Sequence, residues 1–158
     1  MTSESKQQYT LRITQANKTE LIVILYEMLL EYIEEAEEEL KQWNLTAFRN
    51  SVRKAKACLT ELISSLNMKY EPAPQLLSLY LYCNREFIKA DARNEKEPLD
   101  HIYHVIQQLL TAYRKLVKQD NSGPVMENSQ TVYAGLTYGK DRLTENMADQ
   151  GLNRGFRA

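Results

Sequence analysis

The sequence predicts an all-α protein: an antiparallel up-down four-helix bundle with a short N-terminal arm or helix and a flexible or wrapping C-terminal tail. Three observations carry that prediction. All five glycines (Gly123, Gly135, Gly139, Gly151 and Gly155) lie after residue 120, so everything before them lacks the residue that, proline apart, most weakens a helix. The four prolines stand at junctions, Pro72 and Pro74 at one, Pro98 at another and Pro124 directly after the first glycine, where a residue that cannot continue a helix belongs. Between the junctions apolar residues recur at steps of three and four, the spacing of one helix face.

The segment before Asn17 holds Tyr9, Leu11 and Ile13 in a polar setting and is open between a short helix and an arm lying across the bundle. The first long helix begins at Asn17. There Asn17-Lys18-Thr19-Glu20 has the capping-box spacing, an acceptor side chain at the N-cap and a glutamate three residues on. This helix is expected to run to about Lys41. The second is marked by Phe48, Val52, Ala55, Leu59, Leu62 and Leu66 on one stripe, the seam of bundle packing, and ends near Asn67. The third starts around Pro74 and carries Leu76, Leu77, Tyr80, Cys83, Phe87 and Ile88 before the polar residues Asp91 to Lys96, which read as a loop. Pro98 suits the first turn of the fourth helix, whose stripe is Leu99, Ile102, Ile106, Leu109, Tyr113 and Leu116 and which stops near Gln119. Short connectors make successive helices antiparallel neighbours. The chain thus divides into a bundle with its arm, residues 1–119, and a tail, residues 120–158.

Composition narrows the function. The 158 residues suit one domain. A net charge of -1 lacks the basic surface that nucleic-acid binding usually requires. No apolar run is long enough to cross a bilayer and the start, MTSESKQQYT, has no apolar signal core, so a cytosolic protein without membrane insertion is expected. Cys58 and Cys83 sit in helical patterns and read as reduced, packed thiols. His101 and His104 are three residues apart on the fourth helix, but no glutamate lies three residues before a histidine, as a carboxylate di-iron site in a bundle needs. They read as surface or rim histidines. With no glycine before residue 123 there is no phosphate-binding loop. No catalytic, metal or cofactor-binding residue is assigned. An all-helical enzyme would need charged residues converging in the core, whereas the stripes are almost wholly apolar.

The first long helix is over-supplied with apolar residues. Leu21 to Leu30 carries Glu27 as its only charge. If Leu21, Leu25, Met28, Tyr32 and Ala36 face the core, then Ile22, Tyr26, Leu29 and Ile33 form a second stripe. Each large side chain gains ~1.5–3 kcal/mol on full burial, so a partner or the chain's own arm is expected to cover that stripe, unless the core itself is wide. The glutamates between Glu31 and Glu39 read as a solvated face, with a docking patch as the alternative. Arg49, Arg53, Lys54 and Lys56 are placed to pair with them across the hairpin. Ten tyrosines against three phenylalanines suit surfaces wet at one edge, at an interface or at a core rim.

Taken in order, Ala16-Asn17-Lys18-Thr19-Glu20-Leu21, then Leu25-Tyr26-Glu27, then Lys54-Ala55 with Leu62 and Leu66, then Leu79-Tyr80-Leu81-Tyr82-Cys83-Asn84-Arg85, the chain resembles the flagellin export chaperones of the FliS family over residues 9 to 119. In that family a Leu-Tyr pair lies on the first long helix and a Leu-Tyr-x-Tyr segment opens the third, followed by an alanine, here Ala90. Two features depart from the pattern. The glycine-containing turn before the third helix is replaced by Lys69-Tyr70-Glu71-Pro72-Ala73-Pro74, and the aromatic near the end of the fourth helix is Tyr113 rather than tryptophan. The resemblance implies a cytosolic chaperone that needs no cofactor. It would bind the disordered C-terminal region of flagellin, keep it from polymerising early and help deliver it to a component of the flagellar export gate. It also implies the residues of partner contact or groove support: Tyr26, Leu29, Leu66, Leu76, Leu79, Tyr80, Tyr82 and Tyr113. A helical adaptor or dimerisation module for another protein would use the same grooves.

The tail is polar yet carries Val132, Tyr133, Leu136, Tyr138, Leu143, Met147, Leu152 and Phe156. It reads as flexible, with a short helix around Lys140 to Asp149. The sharper alternative is that it lies on the groove in place of the client.

Overall fold

The computed structural model describes residues 1–126. Its helices are α1 Ser3–Gln15, α2 Lys18–Lys41, α3 Leu45–Ser64, α4 Ala73–Arg93 and α5 Glu97–Val117, with no strand among the described residues. Helix α2 packs against α3 and α5, and α4 packs against the same two. The four helices therefore stand as a square of antiparallel chain neighbours, as expected, and the N-terminal segment is a fifth helix lying on α2.

Local chemistry sets the boundaries. At the start of α2 the Asn17 side chain accepts from the Glu20 amide at 2.9 Å, and the Glu20 carboxylate accepts from the Asn17 amide at 3.1 Å. This is a complete capping box. Asn17→Ala is expected to cost about 1–2 kcal/mol, at the upper end for a lost N-cap, because Asn17 is itself buried. An unchanged urea midpoint would contradict this. Helix α4 outlasts its expected end. Asp91, Ala92 and Arg93 form exposed helix surface, and the helix stops where Asn94 turns left-handed at φ 52°, its amide bonded to the Ala90 carbonyl. The loop is thus shorter than the polar run from Asp91 to Lys96. Trp43, also left-handed at φ 57°, closes the α2–α3 hairpin with its side chain 70% exposed.

The core is filled by Tyr26, Leu29 and Ile33 of α2, Phe48, Leu59 and Leu62 of α3, Tyr80 and Phe87 of α4, and Leu99, Ile102 and Ile106 of α5. This reverses the expected orientation of α2. Of the second stripe, Tyr26, Leu29 and Ile33 are fully buried and Ile22 is half-buried, whereas Leu21, Leu25 and Met28 of the first are only half-buried. Tyr32 and Ala36 do face inward. Helix α2 meets α3, α5 and α1 on different sides, so nearly its whole circumference finds apolar or polar cover within the chain.

The glutamate run is likewise more than a solvated face. Glu27, Glu31 and Glu35 stand four residues apart, and α1 meets them in reverse order. Arg12 pairs with Glu27 at 2.5 Å, the Ser5 hydroxyl donates to Glu31 at 2.9 Å, and the Met1 amino group reaches Glu35 at 2.5 Å. Helix α1 therefore runs antiparallel to α2 on a ladder of carboxylates, and none of its own residues is fully buried. Arg114 of α5 joins the same Glu27 carboxylate at 3.3 Å. The expected partners of the run are engaged elsewhere: Arg49 with Asp91 at 3.8 Å, and Lys54 over the Tyr32 ring at 5.8 Å. Such exposed pairs are worth only ~0–1 kcal/mol each.

Cys58 and Cys83 are buried free thiols, pushed up to about 11 and about 12 by burial. Beyond α5 the chain turns back to the start of α2. Thr19 donates to Asp120 at 2.5 Å, and the Val125 amide donates to the Ala16 carbonyl at 3.0 Å. The expected helix around Lys140 to Asp149, and the tail's apolar residues from Val132 onward, lie outside the described residues.

Candidate partner-binding cleft

At the end of the bundle where α2 and α4 begin and α3 and α5 finish, the helix ends and the α3–α4 connection enclose a cleft of about 220 Å³. Its apolar surface comes from Ile22, Leu66, Pro72, Leu76, Tyr80 and Tyr113, and its polar edge includes Lys18, Thr19, Asn67 and Glu71. Tyr70, 67% exposed, stands at the rim.

The floor is held by three tyrosines. The hydroxyls of Tyr26 and Tyr80 are 2.5 Å apart, and the Tyr113 ring meets Tyr26 edge-on at 5.5 Å and 75°. One hydroxyl donates and the other accepts, so the two buried phenols satisfy each other across the bundle diagonal. Burial pushes Tyr80 up to about 12 and also raises Tyr26 and Tyr113. All three stay neutral at physiological pH, and the floor is apolar.

The eight residues expected to serve a partner divide accordingly. Leu66, Leu76, Tyr80 and Tyr113 line the cleft. Tyr26 lies beneath it, touching Tyr80 and Tyr113, and Leu29 is core. Leu79 and Tyr82 share a flank of α4 with Glu86, and Glu86 contacts His101 of α5 at 3.0 Å, so this flank faces α5 rather than the cleft. Leu79 is 37% exposed and Tyr82 half-buried. Sequence spacing missed Lys18, Thr19 and the connection Tyr70-Glu71-Pro72. The only available signal was an aromatic residue placed between a polar stretch and two prolines.

Two further clefts differ in chemistry. One, between α1, α2 and α5, is walled by Arg12, Glu27 and Arg114, already joined to one another. The other is lined by Glu34, Glu37, Asp100, Tyr103, His104 and Gln107. In it burial, then hydrogen bonding with Asp100, raises Glu37 to about 7 against the pull of Lys96. A carboxyl raised in the folded state holds its proton there while the unfolded chain releases it. Its contribution to stability is therefore full below the ordinary value of 4.5, declines as pH rises from there, and is lost by about pH 7. Glu37→Gln is expected to stabilise the bundle at about pH 8 by about 1 kcal/mol, after discounting for the water that reaches the carboxylate. A variant-minus-wild-type difference in urea midpoint that is the same at about pH 5.5 and 8 would contradict this.

Buried charge is rare among the described residues, and Glu86 is the one carboxylate in the core layer. Lys89 at 2.9 Å, and then His101, hold it below the usual carboxylate range. His101 and His104 are both exposed. No group of three or more histidine, cysteine or acidic side chains among the described residues is arranged to hold a metal ion, and no helix there is long and apolar enough to cross a membrane.

The family model of the flagellar protein FliS matches residues 1–120. The chain belongs to the FliS family. The match takes in α1 as well as the four bundle helices and ends at Asp120, where the chain turns back toward α2. The fold is also that of a crystal structure of a flagellar chaperone from bacteria, with a TM-score of 0.62 at 22% identity over 74% of this chain and 98% of the other. No curated protein matches. Within the FliS frame, the Tyr80-Leu81-Tyr82 segment divides its roles. Tyr80 closes the cleft floor, Leu81 is exposed, and Tyr82 packs at the edge of the core.

Proposed function

We propose that this FliS-family chain is a cytosolic export chaperone that binds the disordered C-terminal region of flagellin. By holding that region it prevents premature polymerisation and assists delivery to the flagellar export apparatus. The observation that carries the proposal is the cleft at the bundle end, an apolar floor of Ile22, Leu66, Leu76, Tyr80 and Tyr113 inside a polar edge. An amphipathic segment that orders on binding lays its apolar stripe into such a groove. Family membership supports flagellin as the source of that segment. Binding by burial and hydrogen bonding needs neither nucleotide nor metal.

Titration of the full chain with a flagellin C-terminal peptide tests the reading. Saturable binding is expected, with a gain of helical circular dichroism beyond the sum of the two components. A folded chain that ignores the peptide overturns the flagellin assignment and leaves a helical adaptor for another protein.

A further inference from the structure

We infer that Lys18 and Glu71 make the cleft bipolar, so that the segment it accepts carries a carboxylate and a basic side chain about two helical turns apart, with apolar residues between them. These are the two charged residues among those that line the cleft. Lys18 opens α2, and Glu71 stands just before the start of α4 at Ala73. Helices α2 and α4 form a diagonal of the square, each packed on α3 and α5, and both begin at this end. The cation therefore marks one corner of the cleft and the anion the opposite corner, with the floor of Ile22, Leu66, Leu76, Tyr80 and Tyr113 between them.

Lys18 and Glu71 are both exposed, and neither belongs to an ion pair among the described residues. The carboxylates closest to Lys18 in the chain fold are engaged. Glu20 accepts from the Asn17 amide at 3.1 Å, and Asp120 accepts from the Thr19 and Ser122 hydroxyls at 2.5 Å each. Lys69 precedes Glu71 by two positions and does not line the cleft. An apolar floor alone attracts any amphipathic segment, whereas a charge of opposite sign at each end of that floor discriminates among such segments.

The size of the bundle sets the spacing. Packed helices stand about 8–10 Å apart, so the diagonal of the square is roughly 11–14 Å. A bound helix rises about 1.5 Å per residue, which makes that span roughly seven to nine residues. A step of seven returns most nearly to the same face, and side chains three and four residues on from the first charge share that face. The pattern is thus a carboxylate toward Lys18, an apolar pair over Tyr80 and Tyr113, and a base toward Glu71. It rests on the function proposed above, in that the cleft is where a client segment docks, and it names the kind of segment.

Titration of the full chain with designed helical peptides tests the pairing. The parent peptide holds two leucines between a glutamate and a lysine about seven residues apart, and its relatives carry glutamine, lysine or glutamate at both charged positions. At low salt the parent is expected to bind about fivefold tighter than the all-glutamine peptide, and about 1 M salt should erase the difference. Lys18→Glu is expected to weaken binding of the parent about tenfold, and the peptide with two lysines should recover the loss. Glu71→Lys should be rescued in the same way by the peptide with two glutamates. Equal affinities across the set, no saturable binding of the parent, or losses that no charge-matched peptide recovers in variants with an unchanged urea midpoint overturn the inference. If the designed peptides obey the charge order and a flagellin C-terminal peptide does not bind, the bipolar cleft stands and the flagellin reading falls. If the flagellin peptide binds and the designed peptides are not discriminated, the flagellin reading stands and the bipolar cleft falls.

Discussion

Replacing Tyr80 with glutamate is expected to lower the stability of the bundle by more than about 4 kcal/mol, enough to abolish a cooperative urea transition in a domain of ordinary stability. The substitution places a carboxylate in the apolar floor and strips the Tyr26 hydroxyl of its partner. The milder Tyr80→Phe isolates the second effect. It leaves one buried hydroxyl unmatched, at about 1–3 kcal/mol, and the double change Tyr26→Phe with Tyr80→Phe costs less than the sum of the two single changes because the orphan disappears. Additive single and double values would show that the two phenols do not act as a pair. Charged replacements of Tyr26 or Tyr80 therefore report on folding, and loss of client binding in them says nothing about the binding site.

The cleft needs a substitution at its rim, and Tyr70→Asp provides one. The side chain is two-thirds exposed, so stability should hold within about 0.5 kcal/mol. A rim aromatic that closes over a bound apolar segment is worth about 2 kcal/mol of affinity, roughly thirtyfold, and that loss is expected for the flagellin C-terminal peptide. Trp43→Asp, at the opposite end, should leave affinity unchanged. Wild-type binding by a folded Tyr70→Asp protein would move the site away from this cleft.

Legibility in the sequence divides along one physical line. The start of α2 was readable because the capping box is a contact between residues three apart. The α3 and α5 stripes were readable because polar residues leave only one apolar face on each. Helix α2 defeated the same method. Where Leu21 to Leu30 is apolar on almost every side, periodicity no longer distinguishes faces, and the choice of Tyr26, Leu29 and Ile33 for the core is made by α3 and α5. The ladder of Glu27, Glu31 and Glu35 was hidden for a related reason, since a solvated face and a docking face for a polar helix have the same composition. Asp91 to Arg93 misled because polar residues suit an exposed last turn as well as they suit a loop. The cleft drew Ile22, Leu66, Leu76, Tyr80 and Tyr113 from the predicted stripes, and the larger part of its lining came from helix ends and the Tyr70–Pro72 connection, where no repeat exists to be detected.

The exposed indole of Trp43 determines how this molecule will look in a fluorescence cuvette. It is the single tryptophan of the chain, and in the native bundle it already stands 70% in water. Unfolding can therefore change its surroundings only slightly, and the usual red shift of emission should be nearly absent while far-UV dichroism collapses. The ten tyrosines are the complementary probes. Tyr26 and Tyr80 carry the core signal, and a client entering the cleft should register in tyrosine emission while the tryptophan band stays still.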